Sequence, residues 1–249
     1  QDLCDDIFLN LIDASSKTIP LLEQTARDIK FLHIVHNKAE SPYINLRSNY
    51  DDFFKGLTAS MRHKIRDNER DLREYSDIVF RKTSNISEFD KDFEELVRLH
   101  QIRWESRNFP GSFCGGRFKD FQKMIMPEML KNGHLELRFL SVSGKNIAAL
   151  YNIHYNNKIY FYQSGLDTSF DNKLAPGSLL HDYSIQEAIN AGLREYDFLL
   201  MGNMDSYKKQ WAKENRRLCN IYMVKSGIFK LVMSAENKIK NVYHAIRNK

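Results

Sequence analysis

Cysteine is scarce in this chain: Cys4, Cys114 and Cys219 are widely spaced and odd in number. They make no C-x-x-C pair and no Cys/His cluster, so neither a disulfide framework nor a zinc site of that kind is read. A reducing, cytoplasmic setting is the simplest expectation. No apolar run approaches the ~18 residues of a membrane span, and no signal-peptide pattern is read. The chain opens on Gln1 rather than Met, and an upstream segment is expected. There is no nucleophile elbow with a Ser/His/Asp order, no H-E-x-x-H and no P-loop, and no metal is expected. No internal repeat or low-complexity tract stands out. Charge of one sign is in small excess only: 37 Lys and Arg against 32 Asp and Glu leave a formal +5. That balance accommodates an anionic ligand such as a nucleotide without demanding nucleic acid.

What is present suits one large or two small soluble domains: 249 residues, 42% hydrophobic and 28% charged, enough to bury a real core. Ile7 to Ile12 reads as a strand, and Ser15–Ser16 opens a helix to about Lys30 on the spacing of Ile19, Leu22, Ala26 and Ile29. Phe31–Val35 and Tyr43–Leu46 read as two short strands. Asp51 to Tyr75 reads as one long charged helix with Phe53, Phe54, Leu57, Met61, Ile65 and Leu72 on its apolar face. Its Arg62, Lys64, Arg66, Arg70 and Arg73 interleave with Asp67, Glu69, Asp71 and Glu74. This is either a solvated, salt-laced face or a basic rim for a phosphorylated acceptor. From Ile78 the expected order is β-α-α-β-β-β-α-β-α-β, a mixed α/β sheet in which a three-stranded meander precedes a crossover helix. Hairpin turns are read at Ser143–Gly144–Lys145 and Asn156–Asn157, and Gly192 as the cap of a helix Pro176–Ala191.

The most informative stretch runs from Lys158 to Ala212. An aromatic-rich strand leads to Pro176–Gly177–Ser178 and a helix; a second strand ends at Asp197–Phe198, followed by Tyr207–Lys208. Proline suits a first helical turn because its missing N–H has no helical partner there. Gly177 leaves the backbone approachable, and the free N–H groups with the helix dipole make a phosphate seat. The same tripeptide also reads as a plain helix start. Two strands that splay beside such a turn make a slot for an acyl thioester.

Tyr162–Gln163–Ser164–Gly165–x–Asp167, Pro176–Gly177–Ser178–x–Leu180, Gly192–x–x–x–Tyr196–Asp197–Phe198–Leu199 and Tyr207–Lys208–x–x–Trp211, in this order, resemble the Acetyltransf_6 group of the GNAT N-acyltransferase superfamily. These are the CelD-like acetyltransferases associated with cellulose and exopolysaccharide biosynthesis, related to the Fem-type aminoacyl transferases of cell-wall synthesis. Leu57–x–x–x–Met61–Arg62, His100–x–x–Arg103–Trp104 and Ile147–Ala148–Ala149 fit the same pattern, so the resemblance spans roughly Tyr43 to Lys225. It implies a GNAT acyl-CoA N-acyltransferase fold and an acetyl-CoA or other acyl-CoA co-substrate. The group's phosphate loop, Gln/Arg-x-x-Gly-x-Gly/Ala, is matched here by Asn172–Lys173–Leu174–Ala175–Pro176–Gly177, where the last slot alone agrees. That departure leaves an acyl carrier or an aminoacyl-tRNA open as donor.

Acyl transfer needs aligned reactants, a proton acceptor, and donors for the oxyanion and the leaving thiolate. Gln163, Ser164 and the turn Ala175, Pro176, Gly177 and Ser178 are the expected donor-binding residues. By resemblance, Tyr207 protonates the thiolate, and Lys208 takes the place of a Phe-Lys pair in Fem-type relatives. Both also read as an aromatic under the sheet beside a solvated lysine. Asp197, Asp167 and His181 are the candidates for the base; Asp197 alternatively orients the next loop. Arg103, Trp104 and Asp167 are placed on the acceptor side, with the loop Asn108–Gly116 as a lid. Cys114 is read as incidental.

The expected division is a partial N-terminal subdomain at 1–50, the remnant of a preceding GNAT-like lobe, then a connecting helix at 51–75. The acyltransferase domain follows at 76–226, and an amphipathic helix at 227–249. In that last helix Ile228, Val232, Ala235, Ile239, Val242 and Ile246 fall on a heptad seam. It packs on its own domain, on a second copy or on the inner membrane surface. The expected function is transfer of an acetyl or other acyl group to a sugar hydroxyl or amine of an envelope polysaccharide precursor. Aminoacyl transfer from charged tRNA, using the Arg62–Arg73 helix, and a non-catalytic GNAT-like module in a polysaccharide assembly complex are the alternatives.

Overall fold

The structure, a computed structural model, describes residues 6–47, 49–170, 174–200 and 207–225. The expected C-terminal helix at 227–249 and the loop residues Asn172 and Lys173 lie outside them. The elements begin with β1 (Asp6–Asp13), α1 (Thr18–Asp28), β2 (Leu32–Asn45), α2 (Tyr50–Gly56) and α3 (Ala59–Leu72). Next come β3 (Val79–Lys82), α4 (Ile86–Glu105), α5 (Gly116–Lys131), β4 (Leu135–Val142), β5 (Lys145–Tyr155) and β6 (Lys158–Leu166). The series ends with α6 (Pro176–Asn190), β7 (Glu195–Asp197), α7 (Lys208–Trp211) and β8 (Glu214–Val224).

Two expectations about this first part change. The single helix at 51–75 is two, because Thr58 is extended and its hydroxyl accepts the Met61 N–H at 3.2 Å, capping α3. The apolar stripe survives the break, since Phe53, Leu57, Met61, Ile65 and Leu72 are all buried. The two short strands at 31–35 and 43–46 are one, β2.

The chain divides into two compact units. In the first, of which residues 6–41 and 215–225 are described, β1 pairs antiparallel with β8, and Ile19 and Ala26 of α1 join Cys219, Ile221 and Met223 in one cluster. The alternation of β1 shifts by one between Leu9 and Ile12. There Leu11 takes a φ of 57° and its N–H donates to the Asn220 side-chain oxygen at 3.0 Å. This bulge keeps Ile7, Leu9 and Ile12 on the same cluster although their spacing is not even.

In the second unit, 42–214, the final residues of β2 pair with β7, and the strand order continues β7-β6-β5-β4-β3. Only β6 and β7 run parallel in this unit, as the crossover through α6 requires. The turns behave as the sequence suggests: Ser143, Gly144, Asn156, Asn157 and Gly192 all have positive φ. One face of the sheet packs on α2, α3 and α6 through residues such as Met61, Ile65, Leu150, Leu180 and Ile185. The other packs on α4 and α5 through Phe93, Leu96, Met126 and Phe139. Gly165 sets the distance between α4 and β6. A Cβ there would lie 2.5 Å from Leu99 Cβ and from the His100 backbone nitrogen, so only glycine permits this approach. Arg81 and Thr83 both donate to buried Asp92, which ties β3 to α4. No helix among the described residues is long and apolar enough to cross a membrane.

Candidate active site

The site begins with a bulge. In the β5–β6 ladder Tyr151 faces Gln163 and Asn152 faces Phe161, which leaves Tyr162 as an extra residue on β6. A bulge bends its strand and sharpens its twist. On the opposite edge β6 pairs with β7 from Lys158 to Tyr160 against Glu195 to Asp197, and β7 then ends while β6 continues to Leu166. The Phe198 N–H turns away to the Pro42 carbonyl at 2.9 Å. The two strands therefore part as a slot for an extended substrate arm requires.

A cleft of about 390 Å³ opens here. Arg103, Ser164, Asp167, Ala175, Pro176, Gly177, Ser178 and Tyr207 line it, so residues from α4, β6, α6 and α7 that are distant in sequence meet at one place. Leu150, Leu166, Phe170 and Leu174 give it an apolar wall, and Arg107, Thr168 and His181 complete the polar lining. Gln163, Trp104, Asp197 and Lys208 are not brought to the cleft surface. Gln163 bonds to His100 across 3.1 Å on the α4 side. Trp104 packs edge-on against Phe109. The Asp197 carboxylate is buried and accepts the Leu199 N–H at 2.7 Å, holding the chain as it leaves β7. The Lys208 ammonium is buried too, donating to the carbonyls of Phe198 at 3.0 Å and Leu200 at 2.9 Å. It fastens α7, and with it Tyr207, to the end of β7. The loop Asn108–Gly116 is pinned to α4, since Gln101 donates to the Pro110 carbonyl at 2.8 Å and Phe113 is buried against Phe93.

The turn before α6 differs in detail from a free amide nest. Pro176 has no N–H; those of Ser178 and Leu179 bond to the Ala175 carbonyl at 2.8 and 3.2 Å. The Ala175 N–H is taken by the Asn68 side chain at 2.8 Å. Among the described residues, the Gly177 N–H is the turn's one backbone donor without a partner. Gly177 has a packing reason as well, since a Cβ there would stand 3.3 Å from a Leu166 methyl.

Electrostatics separate the candidate bases. Lys145 at 2.7 Å and the Ser169 hydroxyl at 2.6 Å hold the Asp167 pKa down at about 2, so it stays ionised and binds a proton poorly. Burial, together with the nearby Arg103 and Lys208, pushes His181 down to about 3. It is neutral at physiological pH, with Nδ1 3.0 Å from the Tyr196 hydroxyl. Neither group suits a general base working near neutrality. His181, named from the sequence as a candidate base, does line the cleft, whereas Arg107 was not named; its spacing of four from Arg103 is the signal that points to it. Among the described residues no cluster of His, Cys, Asp and Glu has the arrangement to hold a metal.

A family model described as acetyltransferase (GNAT) domain, Acetyltransf_6, matches residues 59–209. No curated protein matches the sequence. Among solved structures, FemX is 12% identical with a TM-score of 0.68, over 92% of this chain and 74% of that one. A conserved protein of unknown function from Bacteroides thetaiotaomicron VPI-5482 is 10% identical with a TM-score of 0.60, over 88% and 69%. L-PGS from Bacillus licheniformis is 12% identical with a TM-score of 0.57, over 97% and 73%. Identities this low show the fold alone; the family match covers the splayed strands, the α6 turn and Tyr207 together. The chain belongs to the acetyltransferase (GNAT) domain family and is a GNAT-type acyltransferase.

Proposed function

We propose that this chain moves an acetyl or other acyl group from acyl-CoA to an amine or hydroxyl of a polysaccharide or envelope precursor. The observation that carries the reading is the parting of β6 and β7 beside the α6 turn, opening into a single cleft that Tyr207 lines. The apolar wall of Leu150, Leu166, Phe170 and Leu174 suits a pantetheine arm, and the Gly177 N–H with the α6 dipole suits one phosphate oxygen. The acceptor's nucleophilic atom attacks the thioester carbonyl, the C–S bond breaks, and the thiolate takes a proton from the Tyr207 hydroxyl. The acceptor's own proton passes to water, because neither Asp167 nor His181 has the basicity to take it, and water returns a proton to Tyr207. Tyr207 is the catalytic residue of this scheme; Lys208 and Asp197 hold the α7 segment and the end of β7 in place.

A second reading is aminoacyl transfer from charged tRNA. The fold likeness to FemX and the sparsely furnished phosphate turn favour it. The α3 cations weigh against it: Arg70 is engaged by Asp67 and Asp71, Arg62 donates to the Leu57 carbonyl, and Arg66 lies over the Phe54 ring. Calorimetry with CoA, acetyl-CoA and uncharged tRNA separates the readings. Saturable acetyl-CoA binding with no tRNA binding is the expected result. Steeply salt-dependent tRNA binding without CoA binding would move the conclusion to the second reading, and binding of none of them would leave a non-catalytic module.

A further inference from the structure

Among the described residues, one cation that lines the cleft has no counter-charge. Arg103 projects from the end of α4, is 9% exposed and lines the cleft wall. Its Nη1 donates to the Ser164 hydroxyl, and its Nε is buried without any hydrogen-bond partner. Among the described residues it makes no ion pair. Nη1 is the nitrogen engaged by Ser164, and among the described residues the guanidinium has no anionic partner on its other side. A guanidinium at the wall of the cleft is a charge-assisted donor to an oxygen of a carboxylate or phosphoryl group. The same charge reaches His181 and His100, and both histidine pKa values are lowered in part by it. A buried guanidinium with an orphan N–H and no anion is costly in the free protein. A fold retains it where something outside the chain completes it.

We propose that Arg103, oriented by Ser164, is the seat for an oxyanion carried by the acceptor, so that the acceptors of this enzyme are acidic molecules bearing a carboxylate or a phosphate ester. The inference rests on the acyltransfer reading and narrows its substrate class. In the acyltransfer reading the donor phosphate sits at the Gly177 N–H of the α6 turn, whereas Ser164 stands on β6 beyond the last β6–β7 pair, Tyr160 with Asp197.

The test is calorimetry on the full chain saturated with acetyl-CoA, using matched probes: D-glucuronate against D-glucose, and glycerol 3-phosphate against glycerol. At least one charged probe binds about ten-fold or more tighter than its neutral partner. Arg103→Met abolishes that difference, leaves acetyl-CoA affinity unchanged and raises the melting temperature, because an uncompensated buried charge is removed. Arg103→Lys keeps the charge without the planar guanidinium and its bond to Ser164, and recovers only part of the preference. Which pair discriminates tells carboxylate from phosphate. Equal binding of charged and neutral probes overturns the proposal. So does an Arg103→Met chain that loses acetyl-CoA affinity, which gives the oxyanion to the donor, or one that melts lower while still discriminating. If acetyl-CoA does not bind at all, the acyl-CoA reading fails; the probes are then titrated into the free chain, where discrimination supports the seat and its absence overturns it.

Discussion

In the proposed scheme Tyr207 is the residue on which the chemistry turns. It lines the cleft from the start of α7, beside the imidazole of His181 at a ring separation of 6.1 Å. Removing its hydroxyl takes away the proton for the leaving thiolate and leaves the ring in place. Tyr207→Phe is expected to lower kcat by about 10²-fold while the calorimetric Kd for acetyl-CoA stays unchanged; an unaltered kcat would remove Tyr207 from the mechanism. A second residue acts on stability. Asp182 is buried, accepts the Tyr50 hydroxyl at 2.5 Å, and has its pKa lifted by burial from 3.8 to about 6. Between those values the folded chain binds a proton that the unfolded chain releases, so this group lowers stability as pH rises through that window. Asp182→Asn keeps an acceptor for Tyr50 and removes the buried charge. It is expected to stabilise the chain by about 3 kcal/mol at pH 7 and by nothing below pH ~4, read from urea midpoints at the two pH values. A gain that is the same at both would show that ionisation is not its source.

Two elements carry the geometry of the site, and each depends on a small residue. α4 approaches β6 closely enough to bring Arg103 into the cleft because Gly165 has no side chain. Its neighbours on the other side are the backbone of Leu99 and His100, which cannot swing aside. Gly165→Ala is expected to cost about 2–3 kcal/mol through overpacking and to weaken ligand binding together with folding. Gly177→Ala meets only the end of the Leu166 side chain and should cost less. α3 holds the α6 turn through Asn68, and α3 in turn starts at Thr58. Thr58→Ala is expected to lose about 1 kcal/mol as a helix cap. This cap is also where reading the sequence went astray. The stripe from Phe53 to Leu72 keeps helical spacing across Gly56–Leu57–Thr58, so periodicity alone reports one helix. Thr58 accepting from Met61 three residues on is the local signal that two were present. The merging of two strands into β2 had no such signal, since His36, Asn37 and Lys38 do not alternate with their neighbours.

At the scale of the whole chain, the family match and the mixed sheet agree with what the ordered motifs implied. A ligand that binds only the folded chain raises its stability by RT ln(1 + [L]/Kd). At acetyl-CoA concentrations near 100 Kd the gain is about 2.7 kcal/mol, and thermal melting of the full chain should rise accordingly, while dephospho-CoA and pantetheine report how much each part of the donor contributes. No shift with any acyl-CoA would count against the donor assignment.

The residues that make strands, turns and helix ends were readable because each acts over a few positions. Asn156–Asn157 and Gly192 take positive φ for local steric reasons, and Pro176 opens α6 because its nitrogen has no hydrogen to lose. The ordered series of such signals was sufficient for the family and for the turn, strand and tyrosine of the cleft. The partners of buried charges lay beyond it. Lys208 meets the carbonyls of Phe198 and Leu200, Asp167 meets Lys145, Asp182 meets Tyr50, and Arg103 meets Ser164. Each of these outcomes depends on which groups are desolvated together. Desolvation belongs to the packed chain, in which residues far apart along the sequence share one low-dielectric space, and no short window of sequence contains it.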